Sequence, residues 1–157
     1  MITTIDDLLN SGLDVSEEIT NQKLALAIGT AENFMVKPRL GELYNSIVND
    51  PYGYENLING GAWTVNTEYT TKTYQLTGLK SAILHLAYAF LLRQNISATT
   101  FGSVMKKDEY SVNAAEPELH NLARFHTTIG MAYLTEIMDA YGIDKTVNYP
   151  NYYEELV

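Results

Sequence analysis

Three histidines, a few pairs of adjacent acids and one glycine pair are the residues of this 157-residue chain best suited to forming a chemical site. A metal centre needs ligands whose spacing brings them to one point, such as two histidines four apart on a helix or clustered cysteines. His85, His120 and His126 offer no such spacing, and cysteine is absent. No Glu-x-x-His pair occurs, so a carboxylate-bridged dimetal bundle is not expected. His126 falls on an apolar helical stripe and is expected to be a hydrogen-bonded core histidine. His85 lies on the polar side of a very apolar helix and is expected in the core or at an interface. Nucleophilic catalysis needs a serine or cysteine beside a base. No Gly-x-Ser-x-Gly elbow is present. Gly60-Gly61 is followed by Ala62-Trp63-Thr64 rather than a phosphate-binding Lys-Ser or Lys-Thr, and reads as a turn.

The acids have simpler uses. Asp6-Asp7 and Glu17-Glu18 fall in the first turns of expected helices, where negative charge offsets the helix dipole. Glu154-Glu155 lies in a terminal tail. Lys106-Lys107 beside Asp108-Glu109 carries little net field and reads as a solvated turn. The chain is therefore expected to be no enzyme, with no catalytic residue, no cofactor and no metal.

Composition narrows the partners. Nineteen acidic residues against ten basic ones give a formal net charge of -9. Such a chain does not hold nucleic acid through unspecific phosphate contacts, nor does it adhere to anionic membranes. With 46% hydrophobic and 18% charged residues, the profile is globular. A chain of this length fits a single domain, 1–157, that buries roughly 70% of its unfolded surface. The opening Met1 to Asp7 lacks a basic region and a long apolar run, so a signal peptide is not expected. The most apolar stretch, Leu79 to Leu92, is interrupted by Lys80, Ser81 and His85 and is too short to span a membrane.

The elements that would position side chains follow from periodicity. Thr3 to Leu9 reads as a short helix with a threonine cap, stopped by Ser11-Gly12. Asp14 or Ser16 is expected to cap a second helix, along which Leu24, Ala27, Ile28, Ala31, Phe34 and Met35 repeat at helical spacing. Pro38 is expected to end or kink it. Leu40, Leu43, Tyr44 and Ile47 continue a helical stripe to Pro51. Tyr52 to Asn59 reads as one or two helical turns.

From Ala62 to Leu76, threonine, valine and aromatic residues replace helix formers. Their alternation is poor, so an irregular arm or loose hairpin is expected over 62–77. Leu79 to Gln94 is a helix with two apolar stripes, either central or covered by a neighbouring subunit. Asn95 to Ala115 reads as irregular, with a short strand near Thr99 to Val104. Pro117 opens a last helix to about Tyr141, with Leu119, Leu122, Ala123, His126, Ile129, Tyr133, Ile137 and Tyr141 facing inward and Gly142 as its C-cap. The expected class is mainly α: a helical bundle with an extended arm or loose β-hairpin insertion and a C-terminal tail, 143–157.

Tyrosine is the positive feature. There are 12, against four phenylalanines and one tryptophan. Tyr52, Tyr54, Tyr69, Tyr74, Tyr110, Tyr149, Tyr152 and Tyr153 lie outside the helical stripes. Tyrosine joins an apolar body to a polar tip and suits surfaces that are buried on assembly. Packing on the chain's own core is the simpler alternative.

The order of segments resembles the head–tail connector proteins of tailed phages, closest to those of Bacteroides phages, crAss-like ones included. Four stretches carry the resemblance. The first is the helix Ala25 to Leu40 with its proline. The second is Asn56-Leu57-Ile58-Asn59-Gly60-Gly61 leading into an aromatic arm. The third is Gly78-Leu79-Lys80-Ser81-Ala82-Ile83 with Ala87-Tyr88-Ala89 and Arg93. The fourth is Thr99 to Lys107, then a serine and a long helix with Gly130 and Tyr133.

The resemblance implies a non-enzymatic virion protein of the neck, made in the host cytoplasm. It implies a homo-oligomeric ring, usually of twelve copies, that docks on the portal protein and contacts downstream neck or tail proteins. DNA would pass through without specific binding, and no membrane is involved. The expected interface residues are Trp63, Tyr69 and Tyr74 in the arm, Phe101 and Val104 in the second irregular segment, and Tyr149, Tyr152 and Tyr153 in the tail. The alternative is a small acidic helical binding module or regulator that blocks a protein partner.

Overall fold

The structure is a computed structural model that describes residues 2–15, 19–66, 68–94 and 115–144, of 115–117 the backbone alone. The expectations for Ser16, for 95–114 with Phe101 and Val104, and for Tyr149, Tyr152 and Tyr153 lie outside the described residues.

The fold is mainly α with one hairpin insertion. Helix α1 (Ile5–Leu9) opens with a capping box: Asp7 N–H donates to Thr4 Oγ1 at 3.2 Å, and Thr4 N–H donates back to Asp7 Oδ2 at 2.8 Å. Helix α2 (Asn21–Thr30) starts later than the expected caps at Asp14 or Ser16. Thr20 precedes it in extended backbone and gives no side-chain cap. Val15 and Ile19 are both buried, so the core holds the chain ahead of the helix.

Pro38 does not end the helix. A π-helical segment (Ala31–Val36) follows α2, and Lys37 N–H reaches back five residues to the Glu32 carbonyl. The widened turn gives room just ahead of a residue that has no N–H and a bulky ring. Helix α3 (Lys37–Leu40) carries Pro38 in its first turn, and the break comes at Gly41, whose φ is +54°. Helices α4 (Glu42–Asn49) and α5 (Glu55–Asn59) complete the first half.

The arm is a regular hairpin rather than an irregular one. Strands β1 (Gly61–Asn66) and β2 (Thr71–Leu76) pair antiparallel through six positions, from Gly61↔Leu76 to Asn66↔Thr71. The inner face holds Leu76, Trp63, Tyr74, Val65 and Lys72. The outer face holds Ala62, Gln75, Thr64, Thr73, Asn66 and Thr71. Period two is hard to see because Lys72 stands on the inner face and Ala62 on the outer. At the root, Gly60 (φ +93°) and Gly78 (φ +106°) cross. A Cβ on Gly78 would lie 2.5 Å from Gly60 N, so only glycine permits the approach.

Helix α6 (Leu79–Arg93) is the centre of the molecule. Leu79, Ala82, Ile83, Leu86, Ala87, Ala89 and Leu91 are wholly buried, consistent with its two apolar stripes. It packs mainly against α7 (Ala115–Tyr141), and also against α2. The buried stripe of α7 includes Ala123, His126, Gly130, Leu134 and Ile137; the expected Tyr133 packs on the core at the edge of this stripe, and Ile129 is half-buried. The stripe turns on Gly130. A Cβ there would lie 2.8 Å from Leu86 Cγ and 2.9 Å from the Ala82 carbonyl. Gly142, at φ +64°, ends α7. Ile143 N–H bonds Met138 O at 2.9 Å and Gly142 N–H bonds Asp139 O at 3.2 Å, a Schellman cap as the sequence suggested.

Candidate interaction surface

The hairpin divides into a packed root and a projecting tip. At the root, Trp63 stacks between Tyr54 and Tyr141, with ring centroids 5.7 Å and 6.1 Å away. Tyr74 pairs with Trp63 across the strands and also packs on the core. Burial pushes the Tyr141 hydroxyl up to about 12, Tyr54 adds to this, and a hydrogen bond with Trp63 offsets part of it. Thr77, just beyond β2, ties the root to α7 through its N–H and Glu136 Oε2 at 2.9 Å. Trp63 and Tyr74 are therefore at least partly intramolecular packing residues.

The tip lacks that support. Burial falls along β2 from Leu76, through Tyr74, to the exposed Lys72. Tyr69 is 90% exposed, with Glu68 exposed beside it. The outer face is held by side-chain bonds: Thr64 and Thr73 hydroxyls lie 3.0 Å apart, and Thr71 Oγ1 donates to Asn66 Oδ1 at 2.9 Å. These bonds stiffen the strand pair without burying it.

A groove of about 300 Å³ opens elsewhere on the surface, lined by Ile2, Ile47, Val48, Pro51, Tyr52, Glu55, Ile58, Asn59 and Lys80. Ile47 and Ile58 are buried, while Val48 and Tyr52 stand exposed, Tyr52 at 92%. Lys80 is positioned by Asp7, whose Oδ1 lies 3.0 Å from its Nζ. Burial alone would raise the Asp7 carboxyl. Hydrogen bonds from Thr4 and the Lys80 charge outweigh that and hold it below the usual value.

One wall of the groove depends on a buried acid. Glu32, 2% exposed, lies in the π-helical segment. Its Oε1 accepts the backbone N–H groups of Ile2 (2.8 Å) and Thr3 (3.0 Å), and its Oε2 accepts the Tyr44 hydroxyl (3.1 Å). Burial, then the Glu32 charge and hydrogen bond, push Tyr44 up to about 12. Glu32 thus ties the segment ahead of α1 to the bundle. No sequence signal marked it, because two of its partners are main-chain groups about thirty residues away and the third, Tyr44, lies in a different helix.

His126, expected in the core, meets His85, expected in the core or at an interface. His85 Nδ1 and His126 Nδ1 are 2.8 Å apart with the rings stacked, so one nitrogen donates and the other accepts. Tyr88, Tyr133 and Phe125 present edges around them. Burial lowers both, and the neighbouring His85 charge adds to the effect on His126, which falls to about 4. Two nitrogens sharing one hydrogen satisfy each other inside a helix seam. Among the described residues, no group of three potential metal ligands gathers, and no helix is long and apolar enough to cross a membrane.

Of the expected interface residues that are described, only Tyr69 is displayed. The groove residues Val48, Tyr52, Glu55 and Lys80 were not brought together by the sequence, since the groove joins Ile2, the stretch 47–59 and Lys80.

Residues 36–155 match a family described as a family of unknown function, DUF6712, and the chain belongs to that family. No curated protein and no solved structure shows a match to the chain.

Proposed function

We propose that this chain is a structural virion subunit, a head–tail connector of a tailed phage that forms a ring on the portal. It works by burying surface on assembly, with no bond made or broken. One observation carries the reading: a stiffened hairpin displays Tyr69, 90% exposed, at its tip. Large exposed aromatics on a rigid projection suit a partner surface better than solvent. The resemblance of the segment order to that of connector proteins supports the same reading, and the acidic surface suits a channel that DNA crosses without being held.

The test is to purify particles from producing cells and quantify this chain against the portal protein. A fixed ratio near one to one supports a connector ring. Absence from particles, or a trace amount that varies between preparations, contradicts it.

A further inference from the structure

The connector reading leaves open how one copy holds the next, and the hairpin tip and the surface groove bear on that question. We infer that the tip of one copy's hairpin seats in the groove between α4 and α5 of a second copy, with Tyr69 as the inserted side chain. This rests on the ring reading above.

Shape and charge both favour this occupant. The groove has an apolar floor of Ile47 and Ile58 and an exposed rim of Val48, Pro51 and Tyr52. A tyrosine can bury roughly 150–250 Å² in such a setting while its hydroxyl stays near the polar rim. Charges of both signs flank the groove, Glu55 and Lys80. The tip carries the matching pair, Glu68 before Tyr69 and Lys72 after it, all exposed. Glu68 facing Lys80 and Lys72 facing Glu55 brings opposite charges together at both ends, which fixes the direction of insertion more than the affinity. Lys80 keeps Asp7 as its partner within the chain and is still partly exposed for a second acid.

The tip does not occupy its own groove, because Tyr69 is almost fully exposed within one chain. The contact therefore joins two different surfaces of identical subunits. Such a head-to-tail contact propagates from copy to copy and closes into a ring when the rotation fits.

The chain has no cysteine, so two single-cysteine variants form only the disulfides that are introduced. Thr70→Cys, which keeps the Tyr69 ring and stands exposed beside it, is mixed with Val48→Cys under mild oxidation. A parallel mixture pairs Thr70→Cys with Leu26→Cys, an α2 position more exposed than Val48. The expected result is a mixed disulfide that forms at least tenfold faster at Val48 than at Leu26. Lys72→Glu in the Thr70→Cys chain should slow it, and Glu55→Lys in the Val48→Cys chain should restore it. Equal rates for the two mixtures would overturn the inference, as would faster capture of a different protein at Val48 when particle extract is added. The particle ratio decides the connector reading independently. A chain present at portal stoichiometry with equal disulfide rates removes the tip-in-groove contact alone. A tenfold preference in a chain absent from particles keeps the contact and removes its virion setting.

Discussion

The seam between α6 and α7 and the tip of the hairpin put tyrosine to opposite uses. In the seam, Leu86 closes on Gly130, and Tyr88 and Tyr133 pack their rings against a histidine pair. At the tip, Tyr69 has water on nearly every side, and threonine hydroxyls hold the strands together. The root lies between these extremes, with Trp63 stacked but only half buried. A tyrosine or tryptophan in a sequence therefore does not declare its role; its distance from the core along the hairpin does.

The sharpest break in that contrast comes from filling the seam. Gly130→Leu places a side chain where Leu86 and the Ala82 carbonyl already sit. The expected loss is about 3 kcal/mol, at the upper end of overpacking costs, and urea unfolding measures it. A change below about 0.5 kcal/mol, the range of neutral surface substitutions, would mean that the helices are not in contact at this point.

The root should cost less. Trp63→Ala removes two ring stacks from a half-buried position, for an expected loss of roughly 2 kcal/mol. That is below the ~3–5 kcal/mol of a fully buried aromatic. The same denaturant series reads it, with the helical signal at 222 nm retained in the native baseline.

A pH series sharpens the contrast further. His85 and His126 are depressed in the folded chain, His126 to about 4, from an ordinary value of 6.5. Between those values the unfolded chain binds more protons than the folded one, so stability falls with acid. It is fully present above pH 6.5, and the histidine contribution to its loss is complete below about pH 4. Melting temperature should therefore drop over this window in wild type, and more gently in His126→Leu. His85 is still partly exposed, so solvent screens part of the effect, and the expected drop is a few degrees. An identical slope in the variant would assign the acid sensitivity to carboxylates instead.

The smallest effect on stability belongs to the tip. Tyr69→Ala should leave unfolding within about 0.5 kcal/mol of wild type, as for surface substitutions, yet weaken association with other chains at least tenfold. A loss of several kcal/mol would show that the tip packs on its own chain.

Local order was largely legible in the sequence. The threonine cap of α1, the glycine break at 60–61, the apolar length of α6 and the Gly142 cap all depend on neighbours within a few residues. Non-local features were not. The π-helical segment that accommodates Pro38 leaves no mark in composition. Gly130 carries no hydrophobic signal, so the α7 stripe was centred too far toward Tyr133. The His85–His126 pair spans 41 residues of sequence, and each ring reads as solitary until two helices align. The groove draws on residues from Ile2 to Lys80, and no periodicity joins them.

Hydroxyl-radical footprinting of Tyr69, in the purified chain and in intact particles, is the most direct check that the bare tip exists to be covered. Heavy labelling of Tyr69 in the free chain and strong protection in the particle is the expected pair of results, with Tyr88 inside the core protected in both. Equal, heavy labelling of Tyr69 in both states would mean that no other chain covers the tip, and the assembly role would fall.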